Sequence, residues 1–333
     1  MKREELKAVL QTQKELYLKP DDRILFVVDE EYDNAPVEEV FSDQEYEIVR
    51  IPKVERPGQD YELDEALLEG KTLGWLITSV SISHARSTKK MLDRKMFLIS
   101  NPGITPDWPA ILDPKNRQFC REKAEAILQK IGGDVGGTVL VSAVDGTEIW
   151  LRVPKGNWGK EIGERGGIGT NGPYGELVTA PYWTEGIFIL SPGEFMTNPL
   201  NQVEEKIQLT IENNRVVKIE GGAQAKILRE LLEKAGDEKA FSLGEFAFGL
   251  NPGRPEKLHR SVIAEKLSGG VHIAIGTNAV CLNETCPEID KFPYGRYSAG
   301  VHIDCIKFSP LVFFRNERKI SPVPILKDGK FLV

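Results

Sequence analysis

Apolar positions along the chain fall into two textures, with the change near residue 136. Before it, short and nearly continuous apolar runs alternate with stretches of helical spacing. Residues 2–18 place Leu6, Val9, Leu10 and Tyr17 at roughly helical intervals among Lys, Glu and Gln, which predicts an amphipathic helix. ILFVVDE (24–30), YEIVRIP (46–52), LGWLITSV (73–80) and MFLIS (96–100) predict strands. LDEALLEG (63–70), residues 84–94 and RQFCREKAEAILQKI (117–131) predict helices between and after them. Strands that are apolar on both faces need cover on both faces, so the alternation predicts an N-terminal doubly wound, mostly parallel sheet.

Beyond residue 136 the runs pair into hairpins. Asp145-Gly146 separates TVLVSAV from TEIWLRV, and Asn213-Asn214 divides IQLTIENNRVVKIEGG in the same way, both being residues that accept the backbone of a tight turn. A helix follows over AQAKILRELLEKA (223–235), and the tail from IKFSPLVFF to ILKDGKFLV returns to strands around Asp328-Gly329. The reading is α/β overall: a doubly wound domain over 1–135 followed by an α+β metal-binding domain over 136–333.

Composition narrows the class. At 333 residues the chain exceeds one comfortable core, which agrees with two domains. Lys and Arg number 43 against 50 Asp and Glu, for a formal charge of -7, and no basic block is long enough to track phosphates, so nucleic acid is not an expected partner. The charged N-terminus lacks the apolar core of a signal peptide, and no run approaches the length of a membrane span, which predicts a cytoplasmic location with no membrane partner. Cys120, Cys281, Cys286 and Cys305 show no C-x-x-C spacing and read as buried free thiols.

Candidate chemistry gathers between Gly244 and Asp304, in GEFAFGLNPG, GGVHIAIG and AGVHID. Glu245, His272, His302 and Asp304 each lie in or beside a short apolar run between glycines. Imidazole nitrogens and carboxylate oxygens suit Zn, Mn, Co, Ni or Fe(II). His302 and Asp304 are two apart, so on a strand they face the same side and can grip one ion. Cys305 would then face away. Glu245 is the sole charged residue from Phe241 to Asn251, and a carboxylate in such a run needs a cation or a proton. Glu176, in YGELVTAP, reads from the residues alone as a strand-edge carboxylate or as a group carried into place by the preceding glycines. Glu265-Lys266 reads equally as a solvated helix pair. His84 follows the strand LGWLITSV, at the end where a doubly wound sheet binds ligands, although Ser83 or His84 also serves as a helix cap there. Gly167, Gly169 and Gly172 match G-x-G-x-x-G in letters, but Pro173 and a strand-like ELVTAP follow where a dinucleotide site needs a helix.

Taken together, YGELVTAP, GEFAFGLNP, GGVHIAIG and AGVHID stand in the same order as in the aminopeptidase T type of metallo-aminopeptidases, which this chain resembles from SISHAR onward. That group also includes the non-haem iron dihydroxypyridine dioxygenases. The resemblance implies Glu176, Glu245, His272, His302 and Asp304 as metal ligands, a small peptide or other small molecule as substrate, and a homodimer. Two departures stand out. The peptidases carry a carboxylate five residues before the first ligand histidine, whereas Glu265 is seven before His272; they also carry a tyrosine soon after it, where this chain reads IAIGTNAV, with Tyr294 and Tyr297 the nearest.

Two reactions follow as expectations. The first is removal of N-terminal residues from peptides by metal-activated water at one or two divalent ions (Zn, Co or Mn), with Glu176 or Glu265 as general base when it is not coordinated. The alternative is a mononuclear Fe(II) ring-cleaving dioxygenase in which His272, His302 and Asp304 hold the iron and His84 moves a proton.

Overall fold

A computed structural model of the chain describes residues 3–55, 59–83, 85–165, 169–197, 200–279, 281–317 and 321–333. They form two compact units that interleave along the sequence. One comprises Met1–Arg117 with Glu161–Tyr174 and Gly253–His259, and the other Gln118–Lys160, Gly175–Pro252 and Arg260–Val333.

In the first unit, β1 (Ile24–Asp29), β2 (Tyr46–Ile51), β3 (Leu73–Thr78) and β4 (Phe97–Pro102) form a parallel sheet in the order β2-β1-β3-β4. A short strand, Gly169–Asn171, adds in parallel beyond β4. So part of the glycine-rich stretch continues a sheet instead of opening a helix; Gly167 lies outside the described residues. Every residue of β1 and β3 is buried, as the continuous apolar runs require. Phe26 stacks on Trp75 and Phe41 meets both edge-on on one face, and Leu25, Val27, Leu76 and Leu98 pack with Met91 on the other. The helices α1 (Arg3–Tyr17), α2 (Ala35–Val40) and α3 (Arg86–Asp93) accompany this sheet, with α1 against α2. The expected helix over 63–70 is only a 3-10 turn, Glu65–Leu68. Asp64 caps it through the Ala66 amide, and Gly70 at φ +68° turns the chain away.

The second unit is antiparallel. Eight strands form one sheet that includes both expected hairpins, Gly137–Ser142 with Glu148–Val153 and Ile207–Glu212 with Arg215–Gly221. Asn213 and Asn214 sit at φ +50° and +65°, the left-handed conformations that a two-residue hairpin turn demands. The second sheet holds β5 (Glu176–Thr179), β6 (Leu243–Gly249), β7 (Gly270–Gly276) and β8 (His302–Phe308) side by side in the order β8-β7-β6-β5. Along β8 the odd-numbered residues face the eight-stranded sheet's side, where Lys307 Nζ reaches Asp145 (2.5 Å) and Glu194 (2.6 Å). The even-numbered residues are left for the opposite face. Among the described residues no helix is long and apolar enough to cross a membrane.

Candidate metal centre

Strand register brings the charged residues together. Across β5 to β8 the paired positions are Glu176 with Gly249, Ala247 with His272, Glu245 with Ala274, and Ala274 with Asp304. Residues opposite one another in antiparallel strands share a face, so Glu176, Glu245, His272, His302 and Asp304 all emerge on the same side of the sheet. Ala247 and Ala274 stand between them, and their small side chains leave room for the larger ones to converge. A bulge at Gly244 precedes Glu245. A Cβ at Gly244 would lie 2.3 Å from the Thr277 carbonyl oxygen and 2.6 Å from that of Gly276.

The contacts centre on Glu245. Its Oε1 lies 2.9 Å from His272 Nε2, and its Oε2 lies 3.2 Å from His302 Nε2 and accepts from the Cys281 thiol. His302 Nε2 is also 3.3 Å from Asp304 Oδ1, and His302 Nδ1 is held by the Thr277 carbonyl at 2.9 Å. Asp304 Oδ2 accepts from Thr197 Oγ1 at 2.7 Å. Glu176 Oε1 faces His272 Nε2 at 3.6 Å, and its Oε2 receives the Lys266 ammonium at 2.6 Å. The result is two overlapping donor groups, Glu176–Glu245–His272 and Glu245–His302–Asp304, each with its ligand atoms within 4.8 Å of one another and with Glu245 in common.

Electrostatics follow from the crowding. Burial pushes the His272 pKa down, but the hydrogen bond to Glu245 and the charges of Glu176, Glu245 and Asp304 outweigh it and leave the imidazole at about 9. Burial likewise opposes protonation of His302, yet Asp304 and Glu245 hold it well above its ordinary value. For Glu245 burial favours the neutral acid, while its bonds to His272 and His302 win and keep it well below the usual carboxylate range. Asp304 is lowered by His302 against the same burial effect. Glu265 goes the other way: burial raises it to about 7, with Asp304 adding to the rise and Lys266 opposing it. The shifts thus favour charged imidazoles at His272 and His302 beside ionised Glu245 and Asp304.

Glu265 and Lys266 correct the solvated-pair reading. Glu265 is 7% exposed and Lys266 1%, and the two side chains meet at 3.0 Å. Gly249 explains the burial, because a Cβ there would lie 2.2 Å from the Leu267 carbonyl oxygen and 2.7 Å from that of Glu265. Without a side chain at 249, the 265–267 backbone lies directly against β6. His84 lies outside the described residues. Cys305 turns from the cluster, its thiol bonded to the Ile303 carbonyl. Sequence reasoning missed Lys266, Cys281 and Thr197. Only the adjacency of Lys266 to Glu265 was a signal, and it pointed to solvent.

The residues present fit a divalent cation. Carboxylates of like charge are packed here with imidazoles at strand positions with little solvent, and His272 Nδ1 is buried with no hydrogen-bond partner, so Nε2 is the nitrogen turned to the carboxylates. Oxygen and imidazole donors in this mixture suit Zn, Mn, Co or Fe(II). The supporting contacts are testable. Gly244→Ala should press on the Thr277 carbonyl that orients His302, lowering metal affinity about 10- to 100-fold as for other groups that position a ligand. Metal titration of the folded variant measures it, and wild-type affinity would sink the assignment.

The chain is thus a mixed α/β protein that carries carboxylates and imidazoles on one face of an antiparallel sheet. Residues 121–258 match the family model of NicX, 2,5-dihydroxypyridine 5,6-dioxygenase. Among solved structures the whole chain is similar to 2,5-dihydroxypyridine dioxygenase from Pseudomonas putida KT2440, at 18% identity and a TM-score of 0.70, covering 100% of this chain and 98% of that one. It is also similar to wild-type AmpT from Thermus thermophilus, at 16% identity and a TM-score of 0.66, covering 98% and 99%. No curated protein sequence matches the chain significantly. The resemblance read from the four motifs is thus met on both its sides, and the doubly wound plus α+β architecture with it.

Proposed function

We propose that the chain is a ferrous enzyme that opens a small dihydroxylated aromatic ring with dioxygen, with His272, His302 and Asp304 as its protein ligands. The observation that carries this reading is the His302–Asp304 pair: one strand presents both donors, His302 Nδ1 is fixed by a carbonyl, and His272 joins them on the same face of the adjacent strand. Two imidazoles and one carboxylate are the composition that leaves Fe(II) with open positions for oxygen and a diol. The match of residues 121–258 to a dihydroxypyridine dioxygenase family supports it. So does Tyr297, one of the two tyrosines that follow His272 most closely, whose hydroxyl is committed to the Gly276 carbonyl at 3.0 Å. Glu265, at about 7, is the carboxyl group suited to exchange a substrate proton near neutral pH. Glu245 lies between the two imidazoles, against Nε2 of each.

A second reading, metal-dependent aminopeptidase, is favoured by Glu245 itself. One carboxylate common to two donor groups is what a pair of ions about 3.5–4 Å apart requires for hydrolysis by activated water. Protein loaded anaerobically with Fe(II) should consume oxygen when given 2,5-dihydroxypyridine, in proportion to ring absorbance lost. No uptake by the iron form, with release of leucine from a chromogenic amide by the cobalt or zinc form, would replace the first reading with the second.

A further inference from the structure

We infer that Lys266 is a resident cation that limits this centre to one divalent ion. The inference rests on the reading that the cluster holds a divalent metal, whichever reaction it serves. Two donor groups are present among the described residues, and the ammonium of Lys266 sits in the first. Lys266 Nζ lies 2.6 Å from Glu176 Oε2, in the Glu176–Glu245–His272 group, and 3.0 Å from Glu265 Oε1. The donors of the Glu245–His302–Asp304 group face one another, the Thr197 hydroxyl, the Cys281 thiol and the Thr277 carbonyl.

Lys266 is not a surface side chain that happens to lean inward. Its side chain is 1% exposed, and its backbone is locked: the Lys266 carbonyl accepts from the Asn251 amide at 2.8 Å, and the Ser268 amide donates to the Asn251 carbonyl at 2.8 Å. Gly249 admits the backbone of 265–267 to this place. An ammonium buried so fully is tolerable only between carboxylates, and Glu176 and Glu265 supply both. A divalent ion taking Glu176 as ligand would have to share that carboxylate with a like charge that cannot withdraw to water. Lys266 thus holds Glu176 and denies the Glu176–Glu245–His272 group an ion of its own, leaving His272 to the single ion.

Equilibrium dialysis against Mn(II), with metal and protein both quantified, tests the inference without any assay of turnover. The wild-type chain should bind one equivalent up to millimolar Mn(II). Lys266→Met keeps the length and apolar stem and removes the charge, so the folded variant should bind two, with the second at least about 100-fold tighter than any second equivalent in wild type and with the paramagnetic signature of a coupled pair. Lys266→Arg should return the count to one. Because Lys266→Met leaves Glu265 buried without its partner, Lys266→Met/Glu265→Gln is the companion variant; it removes the pair as a unit, leaves Glu176, Glu245 and His272 intact, and should also bind two. Two equivalents in wild type, or one in either folded variant, overturns the inference while leaving the ferrous reaction open. Uptake of no metal by any form overturns the metal reading and this inference with it.

Discussion

Alanine in place of His302 is expected to empty the centre and abolish turnover. His302 touches Glu245 and Asp304 with Nε2 and is anchored through Nδ1, so no other described side chain replaces it. Changes to groups that merely support a ligand already cost about 10- to 100-fold in metal affinity, so loss of the ligand itself should exceed about 100-fold. The metal-free chain should suffer too. Removing the imidazolium leaves Glu245 and Asp304 facing each other with one counter-charge fewer, a loss of about 3 kcal/mol by analogy with other broken buried pairs. Elemental analysis and denaturant unfolding in the presence of a chelator measure the two effects. A His302→Ala protein that keeps wild-type metal content and rate would end the assignment of this face as the reacting centre.

Chelated and metal-loaded protein should differ in their response to pH. His272 has a folded-state pKa of about 9, above the ordinary histidine value near 6.5, and His302 is raised in the same direction. A raised pKa means stability that is fully present below about pH 6.5 and is lost as pH climbs through the folded value. Glu245 and Asp304 are lowered, so their contribution is present above about pH 4 and falls away in acid. The chelated protein should therefore be most stable between about pH 5 and 7 and should lose on the order of 3 kcal/mol on going to pH 10. Protein carrying a divalent ion should not show that alkaline loss, because the ion takes over the balancing charge of the imidazolium protons. Binding must then expel protons, about two per ion near neutrality, and apparent affinity should fall steeply as pH drops. Calorimetric titration in buffers of different ionisation enthalpy counts them. Metal uptake with no proton release at pH 7 would mean that the two imidazoles are neutral in the free chain and that the charge balance drawn above is wrong.

Much of this molecule is legible in local pattern. Both faces of β1 and β3 are buried, and an unbroken apolar run says so before any coordinates exist, because a strand bare on either side would be soluble there only if polar. Asp145-Gly146 and Asn213-Asn214 mark hairpins because those residues tolerate the turn's backbone, and both hairpins are present. The helix expected over 63–70 fails for a local reason that a periodicity argument passes over: an Asp64 cap and Gly70 confine it to one 3-10 turn. Nothing in the sequence signals that 161–174 and 253–259 group with the first unit, since that depends on contacts between distant segments.

For the site the division is sharper. Alternation along a strand is a property of the chain itself, so His302 and Asp304 had to share a side wherever β8 lay. Which side Glu176, Glu245 and His272 would take, and whether they would meet that pair, was decided by register: a slip of one residue in any of three strands would have turned a ligand to the opposite face. The bulge at Gly244 and the bare backbone of Gly249 are likewise choices of packing, and the second of them turned Lys266 from an apparent surface charge into a buried one. Residue types and their two-residue period are written locally, whereas the meeting of positions 176, 245, 272 and 302 is a fact of long-range pairing, and only the assembled sheet contains it.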